Sequence, residues 1–251
     1  MAIRLESIST GLAKPLWIRD GEDLSKVISA INKTPVSTLT SPQLIEVTRA
    51  GIVGDEQADP QAHGGTEKAL YMYPQEHYPF WSSLLSEAKG KSIHLEHGYL
   101  GENLTISGLT EHDVYVGDRL RIGAIECAVT KLREPCYKFT AKTGIASVAK
   151  AMIQGARSGW YLRVLQVGFI QAGDAITIIP GPRECSIAQQ NHVLLHRGDW
   201  VIRLTSFNAK GPIAPDIAWR FFAKIRYARF KIGLSIFLEN SQARMGRLAR
   251  R

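Results

Sequence analysis

The sequence predicts a mainly β protein with some helix, in the α+β class. Up to about residue 180, short β-branched or alternating apolar runs are separated by Gly, Pro and Asp, as in strands joined by turns. The segment VYVGDRLRIGAIECAV contains two alternating runs, at 118–122 and 125–129. Gly123 and Ala124 between them fit a two-residue hairpin turn with glycine first.

A weak internal repeat indicates how the strands are arranged. The segments VGDRLRI (116–122) and AGDAITII (172–179) both use Gly-Asp to turn into an alternating apolar strand. This pattern suits successive strands of a closed β-barrel, which we therefore predict. A chain of 251 residues with 45% apolar content is long enough to bury one large core.

Two helices are predicted within the β-rich part. Pro74 suits the first helical position, with Glu76 in the first turn, of a helix through EHYPFWSSLLSEA. Pro79 lies inside this helix and is expected to strain it or force a restart. The second helix, IASVAKAMIQ, spans 145–154 and is expected to end at Gly155.

The net charge of +8 is confined to the C-terminal segment. Residues 1–182 carry 18 basic and 19 acidic residues, whereas residues 183–251 carry 13 and 4, a balance of +9. Within this segment PDIAWRFFAKIRYARFKI predicts a basic amphipathic helix. Three roles stay open for this helix: packing on a neighbouring element, docking to an acidic protein, and binding to nucleic acid or an anionic membrane surface. We predict a β-barrel domain over 1–180 and a basic helical extension over 181–251.

Hydropathy and cysteine usage favour a cytoplasmic protein. No stretch approaches the ~20 uncharged apolar residues of a membrane-spanning helix, and Arg4 and Glu6 interrupt the apolar residues of MAIRLESIST. The three cysteines, at 127, 136 and 185, do not form the dense, even framework of a secreted scaffold. We expect reduced thiols and no membrane partner.

One cysteine stands in a chemically unusual setting, KLREPCYKF at 131–139. Arg133 and Lys138 flank Cys136, and a nearby cation favours the thiolate, the form that attacks electrophiles and binds metals. Pro135 fixes the backbone just before it. Cys127 lies inside an alternating strand and is predicted to be core. A reactive or metal-ligating Cys136 and a purely structural one both stay open on local chemistry.

Two glycine-containing turns are further candidates. His63-Gly64-Gly65 precedes an apolar run, and adjacent glycines let backbone N–H groups approach an anion, although most such pairs are only turns. Glu102 and Asn103 lie between a glycine and a strand, where side chains satisfy turn backbone or line a pocket. The HLEH segment at 94–97 lacks the HExxH spacing, and the sequence holds no CxxC, so no zinc site is expected.

Together these motifs resemble a known family. The ordered set DEQAD, HGG, K-A-L, YP-x-EHY, GEN, GLTE, V-x-VGD and R-x-PCYK is similar to the MOSC domain, named for the C-terminal domain of molybdenum cofactor sulfurase. The resemblance spans roughly residues 5–180 and is nearest to the YiiM-type branch, the 6-hydroxylaminopurine resistance proteins. It implies a β-barrel-like domain with a pocket for the molybdenum cofactor, followed by a small helical extension. The resemblance also implies binding of pyridoxal phosphate.

The resemblance implies roles for particular residues. Cys136 matches the proposed molybdenum ligand or sulfur carrier, and a soft thiolate suits such a metal. Candidate acids are His63 and Glu102. The candidates for holding the pterin or its phosphate are Gly64, Gly65, Lys68, Asn103, Arg133 and Lys138.

The resulting functional hypothesis is a molybdenum-dependent reductase that converts N–OH of hydroxylated bases or amines to N–H. Three separated cysteines cannot supply the four thiolates of an iron–sulfur cluster, and no GxGxxG marks a dinucleotide site. A separate flavin or iron–sulfur protein is therefore expected to donate electrons. The alternatives are a carrier that passes sulfur from a Cys136 persulfide, and a nucleic-acid-binding protein that acts through its tail.

Overall fold

A computed structural model describes residues 2–20, 23–59 and 64–195. Strands outnumber helices among these residues, so the predicted mainly β, α+β class is confirmed. The strands are β1 (Arg4–Thr10), β2 (Lys14–Asp20), β3 (Asp23–Ser29), β4 (Thr34–Thr38), β5 (Ile45–Thr48), β6 (Gly51–Ile52), β7 (Leu70–Pro74), β8 (Leu104–Ser107), β9 (Arg119–Ile122), β10 (Ile125–Leu132), β11 (Trp160–Gln166), β12 (Gly168–Ile170) and β13 (Ile176–Ile179). The helices are α1 (Tyr78–Lys89), α2 (Tyr137–Thr143), α3 (Val148–Gln154) and α4 (Ile187–Leu195).

The main sheet has eight strands in the order β13-β9-β10-β11-β7-β8-β1-β4. Its neighbours are antiparallel except β7 and β8, which run parallel. A smaller sheet joins β12, β5 and β6, and β2 and β3 form a separate hairpin. Because β13 and β4 are the two ends of the main ladder, the predicted closed barrel is not confirmed.

The strand pairing explains why the ladder does not close. β1 pairs with β8 on one edge, and β4 occupies its other edge from Ser7 to Thr10. Only the start of β1 remains accessible to the segment before β13, through an isolated bridge between Arg4 and Ala175. Three backbone hydrogen bonds accompany this bridge: Leu5 N–H to the Asp174 carbonyl at 2.9 Å, Gly173 N–H to the Leu5 carbonyl at 2.7 Å and Ile176 N–H to the Ile3 carbonyl at 3.0 Å. They do not extend into a strand pairing between β1 and β13.

The predicted hairpin and the Gly-Asp repeat have a common structural basis. Ile122 pairs with Ile125 across the turn, which confirms the hairpin. The repeated strands are neighbours, since β13 pairs antiparallel with β9. In both copies the aspartate accepts a hydrogen bond from the N–H three residues before it, at 3.1 Å for Asp118 and 2.9 Å for Asp174. The repeat therefore encodes a turn that enters a strand.

The helix predicted after Pro74 exists, and of the two effects expected of Pro79 the structure shows a restart rather than strain. A short 3₁₀ turn, Gln75–His77, comes first, and α1 then begins at Tyr78. Pro79 thus lies in the first turn of α1, where its missing N–H has no intrahelical partner to lose. The second predicted helix begins later than expected, at Val148, and ends before Gly155 as predicted.

The core that supports the candidate site is aromatic. Trp81 of α1 and Phe139 of α2 are fully buried, with ring centroids 5.7 Å apart and nearly perpendicular planes. Trp81 donates its indole N–H to the hydroxyl of Tyr73 at 2.6 Å, so its one polar group is satisfied. Cys127 is also fully buried, as predicted for a core residue.

Only the start of the C-terminal segment is described. α4 meets β10, where the side chain of Gln190 accepts a hydrogen bond from the N–H of Leu132 at 2.8 Å. The predicted basic amphipathic helix lies outside the described residues, and the division at 180/181 stays a prediction. No helix in the described part of the chain is long and apolar enough to cross a membrane.

Candidate functional site

Cys136 lies on a short connection between β10 and α2. β10 ends at Leu132, and Cys136 has an extended backbone just before α2 begins. Its carbonyl accepts a hydrogen bond from the N–H of Phe139 at 3.0 Å, and the buried Phe139 side chain anchors the helix start in the core. The cysteine is half-buried, and none of the three thiols is in a disulfide. The sulfur is thus held in position at the edge of the core.

Arg133 is buried beside Cys136. Its guanidinium lies 5.6 Å from the ring centroids of both Tyr71 and Phe139, and Nη1 is 3.7 Å from Sδ of Met152. Burial alone lowers the pKa of Arg133, but its attraction to Tyr71, Tyr161 and Cys136 outweighs burial, so the pKa is raised. Arg133 makes no ion pair with a carboxylate in residues 2–20, 23–59 and 64–195. This leaves a buried positive charge facing the thiol.

Tyr161 connects Arg133 with Lys68. Nζ of Lys68 lies 6.0 Å from the Tyr161 ring centroid, and the Tyr161 ring lies 5.5 Å from that of Tyr71. Burial raises the pKa of Tyr161, and nearby Arg133 lowers it by less. The structure therefore brings Lys68, Arg133 and Cys136 together around neutral phenols.

The first turns of α2 hold the end of the β2–β3 hairpin. Lys138 donates from Nζ to the carbonyl of Ile28 at 3.2 Å. Lys142, one turn later, donates to the carbonyls of Ile31 and Tyr99 at 3.2 and 2.6 Å. Lys138 is buried, so this predicted cofactor contact also clamps the hairpin.

Lys142 is a site residue that the sequence interpretation missed. Burial lowers its pKa to about 8, with smaller contributions from Glu102, which raises it, and from Arg133 and Lys33, which lower it. The sequence did contain a signal for Lys142. Lys138 and Lys142 are four residues apart, so they lie on one helix face and repel each other unless other groups compensate their charges. Lys33, also buried and paired with Asp55, carried no such signal.

Glu102 is fully buried and only partly hydrogen-bonded. Its Oε1 accepts hydrogen bonds from the hydroxyl of Tyr78, from the N–H of Gly98 at 2.9 Å and from the hydroxyl of Thr105 at 3.0 Å. Within the described residues its Oε2 has no hydrogen-bond partner. A buried carboxylate oxygen without a partner is costly, which is typical of a functional group.

Asn103 has a clear structural task. Its Oδ1 accepts from the N–H of Tyr71 at 3.2 Å, and its Nδ2 donates to the carbonyl of Ser9 and to Oδ2 of Asp55 at 3.3 and 2.8 Å. The amide therefore fixes β7, β1 and the Asp55–Lys33 pair around the site. Cofactor binding by Asn103 stays a prediction.

The glycine turn is described only in part, because His63 lies outside the described residues. Gly64 is half-buried and Gly65 is exposed. Gly65 has φ +91°, and a Cβ atom there would meet nothing within 4 Å. Its carbonyl accepts a hydrogen bond from the N–H of Lys68 at 2.9 Å, so the turn fixes the backbone position of Lys68.

Chemically, this arrangement suits an anionic ligand with a thiophilic centre. Arg133, Lys138 and Lys142 bring three basic side chains to the surroundings of Cys136. A protein stabilises buried charges only when they are paired. The described residues hold no cluster of three or more His, Cys, Asp and Glu side chains that would bind a metal by itself.

Comparisons with known proteins agree with the sequence motifs. The family model described as MOSC domain matches residues 59–177. The uncharacterized protein YflK of Bacillus subtilis is 33% identical over 195 residues, which cover 77% of this chain and 82% of YflK. Protein YiiM of Escherichia coli is 32% identical over 60% of this chain and 66% of its own length.

A fungal relative and a solved structure are also similar to this chain. A protein of Gibberella moniliformis named reductase is 34% identical over 53% of this chain, but the match covers only 23% of that longer protein. The crystal structure of YiiM from Geobacillus stearothermophilus superposes with a TM-score of 0.66 at 29% identity. It covers 89% of this chain and 99% of the other. The similarity in fold thus extends well beyond the matched domain model.

Proposed function

Because the chain belongs to the MOSC domain family, in its YiiM-type branch, we propose that it is a molybdenum-cofactor-dependent oxidoreductase. Within that class we propose that it reduces N-hydroxylated bases or amines to the parent N–H compounds. The observation that carries the proposal is the half-buried Cys136 beside Arg133, a buried cation without a carboxylate partner in the described residues. The fungal relative's name, reductase, supports the type of reaction.

The residues around Cys136 fit the chemistry of this cofactor. Its phosphate and dithiolene are anionic, and the site offers Arg133, Lys142 and Lys68 as cations. The Oε2 of Glu102, which has no hydrogen-bond partner in the described residues, is a polar atom that a bound substrate would satisfy. The thiolate of Cys136 is the soft ligand that a thiophilic metal prefers.

The proposed division of labour follows from position. Cys136 would bind the metal, and Gly64, Gly65 and Lys68 would hold the phosphate. Lys138 and Arg133 would keep the thiol and its loop in place. When bound, the cofactor supplies the exchange of two electrons. The remaining chemistry belongs to the protein, which must orient the substrate and deliver protons.

Two protons are needed, since R–NHOH, two electrons and two protons give R–NH₂ and water. Burial, and then the negative charge of Glu102, raise the pKa of Tyr78, so the phenol stays protonated and keeps donating to Glu102. Glu102 is thereby held with one oxygen bonded and the other available to exchange a proton. His63 stays a second proposed acid.

The proposal is tested by turnover with a small chemical electron donor. Protein loaded in a cofactor-competent host is mixed with 6-hydroxylaminopurine and reduced methyl viologen, and the aminopurine product is measured by chromatography. Wild type and Cys185→Ser, which alters a half-buried thiol away from the site, are expected to be active, and Cys136→Ala inactive. A loaded wild-type protein that leaves the substrate unchanged contradicts the reductase, and persulfide on its Cys136 would then identify a sulfur carrier.

A further inference from the structure

A cleft whose lining does not include Cys136 lies beside β1 and α1. Its volume is about 950 Å³, and its walls come from the start of β1, the end of β8, the start of α1 and the loop before Gly98. Its chemically distinctive lining residues are Arg4, Glu6, Tyr78, His94, His97 and Ser107. Tyr78 of this lining also donates its hydroxyl hydrogen to Glu102, so the cleft adjoins that carboxylate. This volume is sufficient for a small organic molecule.

Glu6 is directed into this cleft by an irregularity in the sheet. Leu5 pairs with Ile106 and Ser7 pairs with Thr105, so Glu6 is the extra residue of a β-bulge between β1 and β8. Bulges re-aim side chains and are frequent beside binding sites. Glu6 is only 4% exposed, which places a carboxylate at the buried end of a cleft.

The carboxylate of Glu6 is not fully used by stable partners. Oε1 accepts from the hydroxyl of Ser107 at 2.5 Å and from Nε and Nη2 of Arg4 at 3.1 and 3.0 Å. Oε2 has one bond in the described residues, from Nη2 of Arg4 at 3.2 Å. The Arg4 side chain is 48% exposed, and ion pairs with an exposed partner contribute little to folding stability. A ligand can therefore displace Arg4 from Glu6.

Flat rings form the other side of the cleft. The ring of His97 meets that of Tyr78 edge-on, with centroids 5.4 Å apart. Burial lowers the pKa of His97, so its imidazole is neutral at pH 7 and does not compete for Glu6 as a cation. Glu76, also in the cleft lining, binds the N–H of Gly108 at 2.6 Å. Among the described lining residues the two carboxylates, Glu6 and Glu76, outnumber the one Arg or Lys side chain, Arg4.

We propose that this cleft binds a small planar ligand that presents two adjacent N–H donors of an N–C–N group to Glu6. The guanidinium of Arg4 already offers such a fork of donors to this carboxylate, and a ligand with the same fork would replace it. Amidines and ring systems with the donor edge of guanine share this chemistry. Tyr78 and His97 provide the aromatic contacts for the ring. Nothing in this proposal depends on Cys136 or on a bound cofactor.

Matched pairs of probes test the proposal by isothermal titration of the full-length protein. Guanosine and benzamidine carry the two-donor fork, whereas inosine and benzamide each lack one of its N–H donors. Guanosine, benzamidine or both are expected to bind at least about tenfold more tightly than the matched control, the factor that one charge-assisted hydrogen bond supplies. The probe that binds shows whether the cleft prefers the donor edge of guanine or an amidine.

Glu6→Gln is the decisive variant, because it keeps the shape of the side chain but removes its charge. Binding is expected to weaken at least about tenfold in Glu6→Gln. The affinity should be unchanged in Glu126→Gln. Glu126 is a carboxylate on the β9–β10 hairpin that also pairs with arginine side chains but does not line the cleft. Retained affinity in folded Glu6→Gln overturns the proposal, as does the absence of binding by both forked probes at millimolar concentration.

A wild-type measurement keeps the test valid if Glu6→Gln does not fold. Histidine ring signals are followed by NMR during titration with the tighter probe, and His97→Gln assigns the His97 signal. His97 is expected to shift while His112, which does not line the cleft, stays in place. Shifts in neither ring, or in both equally, contradict binding in this cleft.

Discussion

At the scale of single residues, the account depends on the charge of Arg133. Removing a buried cation near a thiolate forfeits at least about 1 kcal/mol of attraction, which is about a fivefold change in population. We expect Arg133→Gln to slow alkylation of Cys136 by iodoacetamide at pH 7 by about fivefold or more. The measurement is specific for Cys136, because burial raises the pKa of Cys127 to about 12 and of Cys185 to about 11.

Arg119→Gln is the matched control for this experiment. Arg119 is an arginine on β9 with a half-exposed side chain that pairs with Glu126. Its substitution should leave the alkylation rate at the wild-type value. If Arg133→Gln and Arg119→Gln react alike with iodoacetamide, Arg133 does not activate the thiol.

Lys142 gives a second prediction at this scale, in the pH dependence of stability. Its pKa is about 8 in the folded protein, below the 10.5 of an exposed lysine. Between these values the unfolded chain binds more protons than the folded protein, so stability rises with pH in this window. Relative to Lys142→Met, wild type should gain about 1–2 kcal/mol between pH 7.5 and 9.5 in urea unfolding. Lys89→Met, at an exposed lysine, should show no such trend against wild type.

At the scale of elements, the start of β11 depends on a glycine. Gly159 has φ +61°, and a Cβ atom there would lie 2.4 Å from the carbonyl oxygen of Met72. Gly90, after α1, has nearly the same φ of +62° but open space around it. Gly159→Ala should therefore cost about 3 kcal/mol or more, and Gly90→Ala about 1 kcal/mol. Equal urea midpoints for the two variants would show that the contact with Met72 relaxes freely.

Local elements could be predicted from the sequence where neighbouring residues determine them. The β9–β10 hairpin follows from alternation around Gly123, and α3 ends before Gly155 as its pattern indicates. The restart at Pro79 was predictable as one of two alternatives, but the 3₁₀ turn that precedes it and moves the start of α1 to Tyr78 was not. Whether the sheet closes could not be predicted, since closure depends on β4 pairing with an edge of β1 that lies 24 to 31 residues earlier in the chain.

The candidate site shows the same division between local and long-range information. Cys136 and Arg133 are close in sequence, and their proximity was predictable. Lys142 is also close in sequence, on α2, but Lys33 and Tyr161 lie more than 20 residues from Cys136 and join the site only through long-range packing. Packing of distant segments around one thiol therefore supplied the residues that the motifs did not.

At the scale of the whole molecule, the positive charge of residues 183–251 is expected to recruit an acidic electron donor. Changing Arg220, Lys224 and Arg226 to Glu should slow reduction by an acidic flavodoxin at least about tenfold at low salt. Reduction by methyl viologen and molybdenum content should stay at wild-type values. Unchanged transfer from flavodoxin would show that the tail has another task.

Molybdenum content tests the central claim, that Cys136 binds the cofactor, most directly. Wild type, Cys136→Ala and Cys185→Ser are purified from a cofactor-competent host and analysed for bound metal and pterin. The loss of a direct ligand should lower molybdenum in Cys136→Ala at least about tenfold, because even outer contacts contribute that much to metal affinity. Cys185→Ser should match wild type. Equal molybdenum in Cys136→Ala and wild type would contradict the assignment of Cys136 as the ligand.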